Sequence, residues 1–381
     1  MKGRSGAIRG CSQLGLRKGK GKGKETKVCG LSSLPDEMVW NCLAKVSRWD
    51  LAAFGMTSKA HRYFAISPYL WDWRCRMGRL EPSYYMCLHI FPEPIPRWFI
   101  LHPVQRLLKP IDSYAYQSPE SGSSFVVVAW RIFIIGGLVD GKPTSEVAVF
   151  DCFEHKWYKL PPMKMPRAYA SASMIDNKIY VFGGCGDDSN WAEVYDIATC
   201  TWDFLCVPTR PKNIKQSVVI DKKEVYAVDE DGQSFSFSPS KLFVSCGLKT
   251  DSSKPGDRDD WCLIRGFLFS PGPRGTILWC LPHELDWKEV KGLEELQKQH
   301  HHLAEYGISK LSTTYANSYL VIFWNAQPAD SLELWSAHIF LGKIGPEVWG
   351  KIQWSGSVYK LDYPLTDSNR VKVVFAGTAF T

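Results

Sequence analysis

The sequence predicts a small all-α module followed by an all-β propeller, and two observations carry that prediction. Residues 31–77 place apolar side chains at helical spacing, and the remainder reads as short alternating strands that recur. The recurrence is plainest in two stretches. The run Ile132-Phe133-Ile134-Ile135-Gly136-Gly137, with Val149-Phe150-Asp151 and Trp157, is matched by Ile179-Tyr180-Val181-Phe182-Gly183-Gly184, with Val194-Tyr195-Asp196 and Trp202. The glycine pairs stand 47 residues apart, and the aromatic-aspartate steps and the tryptophans stand 45 apart. A self-similar unit of this size, built of four short strands, is the mark of a propeller blade.

The chain opens on a basic tail. Of 46 Lys/Arg and 39 Asp/Glu residues, nine basic residues and one acid, Glu25, fall within residues 1–30. The tail therefore carries +8 and the rest −1, so the folded part offers no global reason to bind nucleic acid. Arg17-Lys18-Gly19-Lys20-Gly21-Lys22-Gly23-Lys24 alternates charge with glycine and is expected to be a disordered arm. A nuclear-import or anionic-surface role could be added to it. A transit peptide fits less well, because lysine-glycine steps do not make an amphipathic helix.

In residues 31–77, Met38, Val39, Cys42, Leu43 and Val46 form one apolar stripe. Ser33 is a candidate cap with Asp36 three residues on, and Pro35 is tolerated only in the first turn. Asp50 is the expected cap of a second helix bearing Leu51 and Phe54. Ser58 is the expected cap of a third bearing Tyr63, Phe64 and Ile66. Pro68 ends that run, and Leu70–Met77 follows as another turn or two. So short a module cannot bury all its apolar side chains, so Leu34, Pro35 and part of the Met38–Leu43 stripe should face a partner. Periodicity alone is equally compatible with a helical cap on the propeller.

Residues 78–110 read as a connector with the first strands of the propeller, and 111–377 as the propeller, with its clear repeats at about 125–166 and 167–212. Within the second repeat, Arg167–Met174 is the expected inner strand. Lys178–Phe182, Trp191–Asp196 and Thr201–Cys206 follow, the last being outermost. Glycine pairs allow torsions and close approaches that a Cβ would block. Weaker copies extend the array. Ile220–Tyr226 echoes Ile175–Tyr180, with Asp229-Glu230-Asp231-Gly232 in place of the glycine pair and no tryptophan. Leu263–Phe269, Ile277–Cys280 and Trp287 make a further blade; Leu320–Trp324, Leu332–Trp335 and Trp349 make another. With Trp98 on the outer strand of the first blade, the count is six. Either Val371–Phe375 or Trp354–Leu361 could supply the strand that closes the ring, since an open edge invites aggregation.

The helical segment resembles an F-box. The residues that carry the likeness are Leu34-Pro35-Asp36-Glu37-Met38-Val39, Cys42-Leu43-Ala44-Lys45-Val46, Asp50-Leu51-Ala52-Ala53-Phe54 and Thr57–Arg62. The repeated unit resembles the kelch repeat. Ser67-Pro68-Tyr69-Leu70, Arg74, Glu81, Tyr84–Leu88 and Arg97-Trp98-Phe99 are similar to the connector of the plant F-box/kelch-repeat family. The resemblance implies a substrate receptor of an SCF-type ubiquitin ligase. Its adaptor-binding positions would be Leu34, Pro35, Met38, Val39, Cys42, Leu43, Leu51 and Phe54, facing a Skp-type adaptor and through it a cullin-RING core. It also implies a target protein, no cofactor and no catalysis by this chain. The alternative is a non-ligase kelch scaffold with a helical cap. Such scaffolds usually carry a BTB domain, for which residues 31–77 are too short. A light-sensing relative would need a flavin domain, and no segment is left to supply one.

No group of residues suggests an active site. Gly183–Asp188 is glycine-rich but lacks the lysine and hydroxyl of a phosphate loop, and Gly-x-Ser-x-Gly and His-Glu-x-x-His are missing. A copper radical oxidase on a kelch propeller would need a secretory leader and a histidine ligand set, neither of which is expected here. His300-His301-His302 cannot easily converge on a metal, because adjacent helical residues point about 100° apart; a solvated polar turn is expected. The 12 cysteines include no Cys-x-x-Cys and read as reduced thiols of a cytoplasmic or nuclear protein, with Cys200, Cys206, Cys262 and Cys280 packed as small apolar residues. No run approaches the ~18 apolar residues of a membrane helix. Target contacts are expected on loops held by the rigid ring. The candidates are Asp140, Lys142, Arg167, Asp187, Asp188, Asn190 and Arg210.

Overall fold

The computed structural model describes residues 30, 34–111, 116–186, 190–207, 213–249, 261–282, 284–314, 319–328, 331–362 and 370–381. The basic arm other than Gly30, the cap residue Ser33, and Asp187, Asp188 and Arg210 lie outside the described residues. The chain divides into two compact units, residues 1–81 with 380–381, and residues 82–379.

Among its described residues the first unit holds four α-helices: α1 (Asp36–Leu43), α2 (Arg48–Thr57), α3 (Lys59–Ala65) and α4 (Pro68–Arg76). Pro35 stands just before α1 with extended torsions. Ser47, not Asp50, caps α2. Its Oγ accepts the Asp50 N–H at 3.1 Å and donates to Asp50 Oδ2 at 2.6 Å, so Asp50 sits in the first turn as the reciprocal partner. Ser58 caps α3 and Ser67 caps α4, where Pro68 takes the first position. Val39, Leu43, Ala44, Leu51 and Leu70 form the core, with Leu34, Trp40, Val46, Phe54, Phe64 and Trp73 packed around it. Arg74 is buried and ties the unit together. Its guanidinium donates to Val46 O, Arg79 O and Glu81 Oε1 at 2.6, 2.9 and 2.7 Å. The Glu81 carboxylate also accepts the Arg48 N–H at the positive end of α2.

The second unit is a propeller of six four-stranded antiparallel sheets. The first blade takes β1 (Pro82–Ile90), β2 (Arg97–Leu101) and β3 (Leu108–Pro110). The second has β4 (Ser124–Val128) and β5 (Arg131–Ile135), then a small hairpin, β6 (Leu138–Val139) with β7 (Lys142–Pro143), then β8 (Val147–Asp151) and β9 (Lys156–Leu160). The third has β10 (Ser171–Ile175), β11 (Lys178–Phe182), β12 (Ala192–Asp196) and β13 (Thr201–Leu205), and the fourth β14 (Ile214–Ile220), β15 (Glu224–Asp229), β16 (Gln233–Ser238) and β17 (Leu242–Lys249). The fifth has β18 (Cys262–Ile264), β19 (Phe267–Pro271), β20 (Ile277–Cys280) and β21 (Lys288–Glu289). Two helices, α5 (Glu294–Gln299) and α6 (His301–Tyr306), lead into the sixth blade. That blade has β22 (Lys310–Thr313), β23 (Tyr319–Ala326), β24 (Leu332–Ile344) and β25 (Glu347–Leu361). The final strand, β26 (Val371–Phe380), pairs with β1 and completes the first blade. The closing strand is therefore the Val371–Phe375 candidate, extended to Phe380, while Trp354–Leu361 belongs to β25.

Period-two alternation builds the ring. On β11, Ile179 and Val181 face the second blade while Tyr180 and Phe182 face the fourth. On β5, Ile132 and Ile134 face the first blade while Phe133 and Ile135 face the third. Each neighbouring pair of blades shares one such apolar seam, including the sixth with the first. First strands touch their neighbours directly. Ser124 Oγ donates to Ala170 O, the Ser171 and Ser217 hydroxyls lie 2.7 Å apart, and Ser312 Oγ donates to Ala376 O at 2.8 Å. The Phe125 and Phe375 rings stack at 5.0 Å, where the last strand meets the second blade.

Several expectations need correction. Trp98 lies on the third strand of the first blade, and the outer strand is the three-residue β3. Arg167 precedes the inner strand, which begins at Ser171; it forms an isolated bridge with Thr144 instead. His300 is not a solvated turn residue. Its ring lies against Trp324 and Trp335 at 5.3 and 4.9 Å, and burial lowers its pKa below the usual imidazole value. Cys262 and Cys280 are buried, Cys200 is half-buried, and Cys206 is exposed.

Candidate interaction surfaces

On α1 the apolar residues fall on two neighbouring stripes rather than one. Val39 and Leu43, one turn apart, point into the core of the helical unit. Pro35, Met38 and Cys42, at intervals of three and four, lie on the outer stripe, with Met38 53% exposed. Leu34 is half-buried. On α2, Leu51 is buried, and Phe54 is half-buried with its ring stacked on His61 at 4.1 Å. Val39, Leu43 and Leu51, expected among the docking positions, are core residues. Periodicity identifies apolar faces without saying which of two adjacent faces turns inward.

The repeat-signature residues prove to be fasteners. The Asp151 carboxylate accepts the N–H groups of Phe153 and Glu154 at 3.0 Å, turning the chain from the third to the fourth strand. Asp196 does the same for Ala198 and Thr199. Lys178 and those N–H groups hold the Asp196 carboxyl below its ordinary value. Trp157 packs on Phe150 and reaches back to Trp98 of the preceding blade. Trp202 packs on Tyr195 and donates its indole N–H to Pro161 O at 2.9 Å. Gly136 and Gly184 sit in left-handed torsions where the chain passes close to the segment entering the third blade. A Cβ on Gly136 would overlap the Arg167 carbonyl, and one on Gly184 would lie 2.6 Å from Ala168 O.

Of the target-contact candidates, Asp140 and Lys142 stand exposed on the β6–β7 hairpin. That hairpin is tied down. Glu120 accepts the Asp140 and Gly141 N–H groups, and Leu138 exchanges hydrogen bonds with Glu120 and Ser121. Arg167 is a correction: it is 0% exposed and ion-paired to Glu193, itself 0% exposed, at 2.9 Å. Its remaining N–H groups go to Gly183 O, Trp191 O and Asn190 O. Glu193 also accepts the backbone N–H groups of Lys164 and Met165. This buried network joins the loop entering the third blade to the loop between its second and third strands. Asn190 is half-buried and contributes its carbonyl to it.

Tyr169 was not anticipated. It is half exposed beside the hairpin, in a left-handed conformation unusual for a bulky residue, with its hydroxyl 3.1 Å from Ser121 Oγ. No composition or spacing signal marks such a residue. Burial pushes the thiols of Cys87, Cys262 and Cys280 up, which keeps them protonated and poor nucleophiles.

Residues 98–359 match the family model described as FKB95, Kelch-repeats domain. A putative F-box/kelch-repeat protein of Arabidopsis thaliana is 31% identical over 354 residues, covering 87% of this chain and 89% of the relative. A second from the same plant is 33% identical over 343 residues, covering 87% and 84%. An Arabidopsis F-box/kelch-repeat protein is 28% identical over 369 residues, covering 88% and 94%.

Proposed function

The chain belongs to the F-box/kelch-repeat family, and on that premise we propose that it is the substrate-recognition subunit of an SCF-type E3 ubiquitin ligase. The helical unit docks on a Skp-type adaptor, and through it on a cullin-RING core. The propeller holds a target protein. The observation that carries this reading is the second apolar stripe of α1. Pro35, Met38 and Cys42 remain in solvent although the unit has already closed a core of its own. An exposed apolar stripe on a small closed unit is what a helix-docking partner covers.

The transfer chemistry takes place on other subunits, and this chain contributes proximity. Holding a target lysine near a charged ubiquitin carrier raises its effective concentration. Target contacts fall to the exposed loops around β6–β7, where Asp140, Lys142 and Tyr169 stand on a hydrogen-bonded scaffold. Work in the cytoplasm or nucleus follows from this role. Co-expression with a Skp-type adaptor tests it. A stable 1:1 complex on size exclusion, competent with a cullin-RING core and charged carrier to ubiquitinate this chain or a bound protein, is the expected result. A folded chain that elutes alone would leave a kelch-propeller scaffold with a helical cap.

A further inference from the structure

A cationic site lies on the seam between the sixth and first blades, away from the β6–β7 loops. The loop joining β2 to β3 runs His102-Pro103-Val104-Gln105-Arg106-Leu107. It is rigidly built. His102 Nδ1 accepts the N–H groups of Val104 and Gln105 at 3.3 and 3.1 Å, and the Arg106 N–H returns to His102 O at 2.8 Å. Arg106 itself has a φ of 54°, a torsion that costs any residue with a Cβ. This geometry lays its guanidinium over the Trp354 ring on β25, 4.6 Å from the centroid.

Among the described residues no ion pair neutralises that charge. Nη1 of Arg106 is buried and has no hydrogen-bond partner among the described residues, and no carboxylate among them pairs with it. The titratable neighbour is His338, the cross-strand partner of Trp354, whose ring meets the indole edge-on at 5.4 Å. Burial, and then the Arg106 charge, bring the His338 pKa down to about 4, so the imidazole is neutral near pH 7. Arg97 is ion-paired to Glu93 at 3.3 Å, whereas Lys109 on β3 and Lys351 and Lys360 on β25 are exposed. A buried guanidinium N–H left unpaired is destabilising, and holding it in a strained backbone adds to that. Beside it, Val104 is 85% exposed and Leu107 is also exposed, so an apolar pair flanks the cation.

We infer that Arg106, with Val104 and Leu107 beside it and Trp354 beneath it, forms a docking surface for an acidic segment of another protein. A carboxylate of the segment would accept from the part of the half-buried guanidinium that stays in solvent, and apolar side chains on either side of it would cover Val104 and Leu107. Charge complementarity selects this occupant, because the site is a preorganised cation with no ion-pair partner among the described residues. The inference does not depend on the ligase reading, and its test involves no adaptor, so the two can fail separately.

The test uses the full-length chain and an array of immobilised decapeptides. Asp or Glu alternates in them with Leu, Val or Phe at spacings of one to four residues, each beside its Asn/Gln counterpart. The wild-type chain should bind a subset of the acidic peptides, lose them as salt is raised, and ignore the neutral counterparts. Arg106→Asn removes the cation but tolerates the left-handed backbone. It should weaken binding by about tenfold or more with an unchanged thermal midpoint. Arg106→Lys should fall between the two, because lysine lacks the planar fork. Val104→Ser should weaken binding by several-fold. Acidic peptides held no better than neutral ones, or an equally retentive and folded Arg106→Asn chain, would overturn the inference and leave a water-satisfied arginine that serves only the seam.

Discussion

The third and fourth blades are built on one plan with different fastenings. Both are antiparallel four-stranded sheets, and their middle strands meet in the same register, Ile179 opposite Tyr195 and Val225 opposite Phe237. The third blade ends its second strand on Gly183-Gly184, both left-handed. The fourth uses Asp229, whose carboxylate accepts the N–H groups of Asp231 and Gln233, with the left-handed torsion supplied by Gly232. Asp196 turns the third blade toward its outer strand, whereas the fourth has Ser238 at the corresponding step. Trp202 covers the third blade, and the fourth has no such tryptophan. What the two share is the alternating apolar residues that fill the seams. The seams therefore set the blade, and the signature residues pin its turns.

Removing a fastening should cost most where it is buried and charged. Arg167→Met would leave Glu193 buried and unpaired, and should lower unfolding free energy by about 3–5 kcal/mol in denaturant titration. The double variant Arg167→Met/Glu193→Met should recover part of that loss. Gly184→Ala should cost about 2–3 kcal/mol, from the left-handed torsion and the Ala168 carbonyl it would crowd. In the fourth blade, Asp229→Ala should cost only about 1–2 kcal/mol, the price of two turn N–H groups losing their acceptor.

The smallest contrast is in pH. The folded pKa of Asp196 is depressed, so its contribution is present above the unfolded carboxylate value near 4 and is lost as pH falls through the lower folded value. The Ala198 and Thr199 amide resonances should shift over that acid range and stay fixed in Asp196→Asn. The Ser238 turn of the fourth blade should stay fixed in both.

Much of this architecture was legible because a strand filling two seams must alternate, as Ile179–Phe182 does. The aspartate and tryptophan positions repeat because the turns they pin repeat. What escaped notice was short or decided at a distance. The two-residue strands β6 and β7 and the three-residue β3 fall below any periodicity. Arg167 reads as a surface cation until Glu193, 26 residues away, is found beside it. His300 reads as a polar turn until Trp324 and Trp335 enclose it. On α1, Val39 and Leu43 are as apolar as Met38 is, and only the packing of α2 and α4 decides which stripe is core. Asp50 has the chemistry of a cap, but Ser47, three residues earlier, takes that place.

The most direct test of the central claim turns on the two stripes of α1. Binding of a Skp-type adaptor would be measured for the wild-type chain and for Met38→Asp/Cys42→Asp, which alters only exposed side chains. Burying two carboxylates in an apolar interface should cost several kcal/mol, so the double variant should stay folded, with unchanged helicity and thermal midpoint, and lose capture by about a hundredfold or more. A folded double variant that binds the adaptor as tightly as the wild type, or a folded wild type that does not bind at all, would contradict the account.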